Sequence, residues 1–332
     1  IFAKMIISVF KKNYFLQFVL LAITPILLWL PAFINPPEIV VSKRMDMPLY
    51  DFIISGFCGN SFWAVLIAFV LVLLQGVMLN FIVTHYTLAR KNSYLTAFIY
   101  MLLMSNDYRT MTLSSLLLAN TFLILGLYTF LQCYNKKEGL DEIFLTTFFL
   151  AIASLIYTPS ILLMLWIWIG LFNFKIYKWR SFFVSIFGFL TPFIILMVYY
   201  YLSDNTTLIL NFLYDHYAIL PDFNILNQPI QIVYMVYLIA FLGIPALLKT
   251  MSIRFEQKLS VRKRISTITL YFAIAIFPFV YNLTMPSMTL VFAMPLAYML
   301  AVLFLNIKRA LYADTFIIVL IILTVVKILV NC

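Results

Sequence analysis

The chain has 332 residues, 65% of them hydrophobic, 18% aromatic and only 10% charged, with a formal net charge of +10. A soluble domain carries about 25% charged residues, and at a mean hydropathy of +1.05 water could not solvate a surface built from this chain. A soluble enzyme, a nucleic-acid-binding domain and a disordered protein are thereby excluded. Eight glycines offer no nucleotide-cradling loop, and three cysteines with two histidines are too few for a thiolate zinc site, a haem pair or a disulfide framework. No cofactor, no metal and no nucleic-acid partner is expected of what reads as a polytopic membrane protein.

Residues 1–10 read as an interfacial amphipathic lead-in. Lys4, Lys11 and Lys12 precede the first apolar run and no small-residue cleavage site follows it closely, so a cleaved signal peptide is not expected. A helix needs about 20 apolar residues to cross the hydrocarbon core. Full-length spans are predicted at 14–34, 61–87, 110–133, 181–203, 228–249, 265–283, 287–307 and 313–331. Shorter ones are predicted at 93–105, 143–158 and 160–174. The last two should break at Thr158-Pro159-Ser160, because proline removes a donor and restricts the residue before it. The expected fold is an all-α transmembrane bundle of about 11 spans, with residues 1–332 as a single transmembrane domain.

Lys and Arg collect in cytoplasmic loops, which tests this count. With the N-terminus inside, 18 of the 22 basic residues fall on the inner face. Losing any one short span would move every later loop to the other side. The expected orientation is therefore N-terminus cytoplasmic and C-terminus extracytoplasmic. Three loops stand out: a first outer loop at 35–60 with a short interfacial helix around 48–57, a second long outer loop at 204–227, and a basic cytoplasmic loop at 249–264. Within the last, Arg262, Lys263 and Arg264 are read as a membrane-surface anchor, since anionic headgroups attract basic residues by about 1 kcal/mol each. Cys58, Cys133 and Cys332 are expected as free thiols, because only Cys58 and Cys332 share an oxidising side.

The spans are almost empty of ionisable residues, which disfavours a proton-coupled pump or an ion channel. Chemistry is more plausible at the outer membrane–water boundary. There Glu38 and Asp46 share a loop with Lys43 and Arg44, and Asp107 with Arg109 caps the turn between the third and fourth spans. Carboxylates beside cations at headgroup depth suit a lipid-linked phosphate. Lys43, Arg44 and Arg109 would hold the phosphate, and one of Glu38, Asp46 and Asp107 would take a proton from an acceptor hydroxyl.

The organisation resembles the integral-membrane GT-C glycosyltransferases. The likeness is carried by HYTLARKNSYLTAFIYMLLMSNDYRTMTLSSLLLANTFLILGLYTFLQ and FFLAIASLIYTPSILLMLWIWIGLF within 85–174. The second stretch is similar to their short helix pair broken at a Tyr-x-Pro or Arg-x-Pro turn. The resemblance implies a polyprenyl-phosphate-linked sugar donor, catalytic carboxylates in the first outer loops, and a place in cell-envelope glycan assembly, as a transferase or a degenerate relative. By position, Glu38 matches the acid just after the first span and Asp107 the acid of the second outer loop. The segments THYTLARKNSYLTAFIYMLLMS, RSFFVSIFGFLTPFI and TMPSMTLVFAMPLAYMLA also resemble an uncharacterised family of Bacteroidota inner-membrane proteins. That likeness implies a multi-pass protein of the cell inner membrane and no particular reaction. Two other functions stay open on the sequence: a non-catalytic membrane subunit with protein partners in an envelope complex, and a lipid or small-molecule transporter. A lipid-accessible cleft converging on Glu38, Asp46 and Asp107 would discriminate the enzyme from the subunit.

Overall fold

The computed structural model describes residues 10, 14–37, 48–56, 61–89, 93–105, 108, 111–136, 138–204, 239–275 and 289–307, with 314–325 in part. Every element among them is helical. In chain order they are α1 (Tyr14–Ile34), α2 (Pro48–Ser55), α3 (Ser61–His85), α4 (Leu95–Met104), α5 (Ser115–Gln132), α6 (Leu140–Ile156), α7 (Met164–Phe174), α8 (Trp179–Leu202), α9 (Ile244–Arg254), α10 (Leu259–Ile274) and α11 (Thr289–Asn306).

Four of these helices, α1, α3, α5 and α8, are long and apolar enough to cross a membrane. The proline break falls where Thr158-Pro159-Ser160 placed it: a 3-10 turn over Thr158–Leu163 separates α6 from α7. The short helix expected around 48–57 is α2, which buries Tyr50 and Ile54 and exposes Asp51 and Phe52. One boundary differs in kind. The basic stretch expected as a loop is helical except for a turn at 255–258, because α9 runs on to Arg254 and α10 starts already at Leu259. Of the outer loop at 204–227, only Asp204 is among the described residues.

The most buried helices are α4 and α11. All ten residues of α4 are buried, and α11 is buried from Phe292 to Leu305 save Leu303. A helix that is apolar all round belongs in the middle of a bundle. A helix of ten residues rises only about 15 Å, half the ~30 Å hydrocarbon core. Such a segment is tolerated at membrane depth only when protein surrounds it, and α3 and α11 pack on α4. By contrast, α1 and α8 lie at the periphery, with only 33% and 22% of their most apolar windows buried.

Small residues let the remaining helices approach. α6 packs between α5 and α8. A Cβ on Gly188 of α8 would stand 2.2 Å from Thr147 Oγ1 and 2.7 Å from the carbonyl oxygen of Phe144. Close backbone approach at small residues is the usual basis of helix association in lipid. Between α5 and α6, the hydroxyls of Thr129 and Thr146 bond at 2.8 Å. The Gln75 amide of α3 is fully used as well. Its Nε2 donates to the Leu117 carbonyl (2.8 Å) and to Thr121 Oγ1 (2.7 Å), and its Oε1 accepts from the Tyr100 hydroxyl (2.6 Å). A buried amide without such partners would cost several kcal/mol.

Candidate functional site

Polar contacts sort the helix termini into two ends. At the first end lie the C-termini of α3, α5 and α7, the N-termini of α4, α6 and α8, and the turn joining α9 to α10. The Gln17 side chain of α1 reaches this end too, accepting from the Tyr94 backbone N–H at 3.1 Å. We call this the basic end.

The start of α10 organises it. Arg262, Lys263 and Arg264 occupy the first turns of that helix, where cations oppose the helix's own dipole. The conflict is relieved by neighbouring helices. Arg264 Nε donates to the Leu131 carbonyl in the last turn of α5 (3.2 Å), and Lys263 Nζ donates to the Asn173 carbonyl at the end of α7 (2.7 Å). Each cation thus meets the electronegative end of another helix. Asn173 answers by donating its amide to the Lys263 carbonyl and to Thr267 Oγ1, both at 3.0 Å. The Arg264 guanidinium also lies 4.4 Å from the ring centroid of Tyr86 and 5.4 Å from that of Tyr134. Burial lowers the Arg264 pKa from its ordinary value, and the two tyrosines work against that shift. Arg262 points elsewhere: its guanidinium and that of Arg254 each lie 4.9 Å from the centroid of Phe255.

Around this core, Lys136 pairs with Glu142 and Lys178 with Glu138. The hydrogen bond to Glu142 raises the Lys136 pKa above its ordinary 10.5. Cys133 is a free, buried thiol whose Sγ donates to the Thr129 carbonyl at 3.7 Å. Cys58 and Cys332 lie outside the described residues. His85, exposed at the end of α3, stacks with Phe81 and meets Tyr86 and Tyr128 edge-on.

The expected catalytic residues Glu38, Asp46 and Asp107 and the expected phosphate ligands Lys43, Arg44 and Arg109 lie outside the described residues. Residues beside them are described, and they meet. The Tyr108 hydroxyl donates to the Asn35 carbonyl, which ties the turn after α4 to the start of the 35–60 loop. The Tyr50 hydroxyl of α2 donates to the Leu113 carbonyl at 2.9 Å. Trp29 Nε1 donates to Ser105 Oγ at 2.8 Å, and that hydroxyl donates to the Met101 carbonyl at 2.7 Å. Two neutral hydrogen bonds therefore hold the 35–60 stretch, and a third holds α1, against the segment between α4 and α5.

Among the described residues, no three His, Cys, Asp or Glu side chains converge as metal ligands would. Reasoning from sequence did not single out Arg254, Phe255 or the Gln75–Tyr100 pair. The proximity of two arginines to Phe255 in the chain was the only available signal for the first two, and the Gln75 partners lie too far along the chain to leave one.

The all-helical make-up and the four long apolar helices mark the chain as a helical membrane protein. No family model, no curated protein and no solved structure matches it.

Proposed function

We propose that the protein is a GT-C-like, multi-pass component of cell-envelope glycan assembly in the inner membrane, taking its sugar from a polyprenyl-phosphate donor at the end opposite the basic one. In this proposal, Glu38, Asp46 and Asp107 supply the catalytic carboxylate, and Lys43, Arg44 and Arg109 hold the lipid phosphate. The observation that carries it is the hydrogen bond from Tyr108 to the Asn35 carbonyl. Asn35 stands three positions before Glu38, and Tyr108 follows Asp107 directly. Two loops with carboxylates and cations are thus tied together at their edges. A lipid-linked phosphate and a hydroxyl acceptor need groups of both signs within one hollow.

The alternation of helix ends supports the wider topology. From α1 to α8 the chain passes from one end to the other at each helix except the eight-residue α2, the short α4 and the broken α6–α7 pair included. In this reading α9, α10, α11 and the helical residues of 314–325 continue that pattern to eleven passes, which leaves the termini on opposite faces, and the basic inner loops assign the N-terminus to the cytoplasm.

Single replacements Glu38→Ala, Asp46→Ala and Asp107→Ala test the chemistry. The expected result is loss of envelope glycan, at normal protein level, from at least one of them. Full complementation by all three would leave the non-catalytic membrane subunit as the better assignment. For topology, a cysteine at Ser260 in a cysteine-free background should resist an impermeant thiol reagent applied outside spheroplasts, and one at Asn205 should react.

A further inference from the structure

Arg254 and Arg262 come from the end of α9 and the start of α10, and both guanidiniums gather at the ring of Phe255. Phe255 is 61% exposed and Leu259, one turn on, 66%. Arg254 Nη1 donates to Ser266 Oγ at 3.2 Å, while its buried Nε has no hydrogen-bond partner among the described residues. More positive charge stands close by. The Lys263 pKa is lowered first by burial and then by Lys175, Arg262 and Arg254. The ion pairs described at this end use Lys136 and Lys178 instead. Several cations therefore crowd one spot next to two large apolar side chains that face outward.

That combination has a specific complement. Guanidiniums take a phosphate through two parallel N–H donors, and exposed apolar residues beside cations are the make-up of a surface seated at the headgroup–acyl boundary. A free phosphate ion would satisfy the cations and leave Phe255 and Leu259 in water. We infer that Arg254, Arg262 and Phe255 form a headgroup site for an anionic phospholipid, with the guanidiniums on the phosphate and Phe255 and Leu259 in the acyl region. This differs from a diffuse basic anchor over Arg262–Arg264, since Lys263 and Arg264 are committed to helix carbonyls and Arg254 and Phe255 lie outside that triplet. It requires only that the basic end meet a bilayer surface, in either leaflet, and is independent of glycan transfer.

The test uses the full chain in nanodiscs of phosphatidylcholine, with and without phosphatidylglycerol. Phosphatidylglycerol retained on release is counted by native mass spectrometry, and the unfolding midpoint is read alongside. The double variant Arg254→Gln/Arg262→Gln should weaken phosphatidylglycerol retention roughly 30-fold. Lys178→Gln/Arg180→Gln, which removes the same charge from the same end, should change it less than about threefold. If the first variant does not fold, Arg262→Lys replaces it; this keeps the charge, loses the planar fork, and should still weaken retention several-fold. Equal losses in the two double variants, or full retention in Arg262→Lys, would overturn the site in favour of diffuse electrostatics. So would inorganic phosphate alone raising the midpoint as far as phosphatidylglycerol does.

Discussion

The two ends of the bundle are tied by different chemistry. At the basic end, charged side chains close the helices: Arg264 and Lys263 reach across to the carbonyl termini of α5 and α7. At the opposite end, the described ties come from uncharged donors, the Trp29 indole and the Tyr50 and Tyr108 hydroxyls. The contrast shows two uses for charge in one apolar chain. Cations on the basic end are structural parts that neutralise helix termini. At the other end the ties among the described residues are neutral hydrogen bonds.

The contrast can be broken by substitution. Arg264→Met should have the largest effect, destabilising the protein by about 3 kcal/mol, because it removes a charge-assisted hydrogen bond and two cation–π contacts. Arg264→Lys should recover only part of this, as read by unfolding in detergent. Lys263→Met should cost about 1.5–2 kcal/mol, and a double-mutant cycle with Asn173→Ala should show strong coupling. Tyr108→Phe and Tyr50→Phe should each cost about 1 kcal/mol, the value of a neutral hydrogen bond. Should either match Arg264→Met, the distinction between the ends fails.

A smaller effect of opposite sign is expected where α3 closes. Thr87 has φ 50°, with Leu88 N–H bonded to the Val83 carbonyl and Thr87 N–H to that of Thr84. This is a helix stop that glycine makes without strain. Thr87→Gly should therefore stabilise the protein by up to about 1 kcal/mol. The pH response of the basic end is smaller still. Because Glu142 raises the Lys136 pKa above 10.5, the pair stabilises the fold fully below that value and ceases to do so as pH rises through the raised pKa. Lys136→Gln should remove this alkaline limb from a plot of unfolding midpoint against pH.

Much of this fold could be read from residues in order. Pro159 announced the break between α6 and α7, and the apolar runs located α1, α3 and α8 to within two residues at each end. The start of α10 was misread for a physical reason. The sequence KLSVRKR is polar enough to look like a loop, but its charges are accommodated by carbonyls on α5 and α7, and Leu131 lies 133 positions from Arg264. Local patterning carries no trace of such a partner. The Gln75–Tyr100–Leu117 network is hidden likewise, since it depends on the register between three helices. For the candidate site, sequence supplied residue types and order, while the Tyr108–Asn35 bond, a product of tertiary packing, joins chain neighbours of Asp107 and Glu38.

The Gln75 pairing also measures height. Gln75 stands fourteen residues into α3 and Leu117 only two residues into α5. Were the two helices parallel, α5 would stop roughly 15–20 Å short of the level at which α3 begins. The ten-residue α4 is short as well, and α2 sits above the pair through the Tyr50–Leu113 bond. The offset between α3 and the start of α5 therefore lies inside the bundle. The apolar faces exposed at the periphery belong to the long α1, α3 and α8 and also to the short α7. The Tyr50–Leu113 bond sets α2 over the step that α4 and the start of α5 leave.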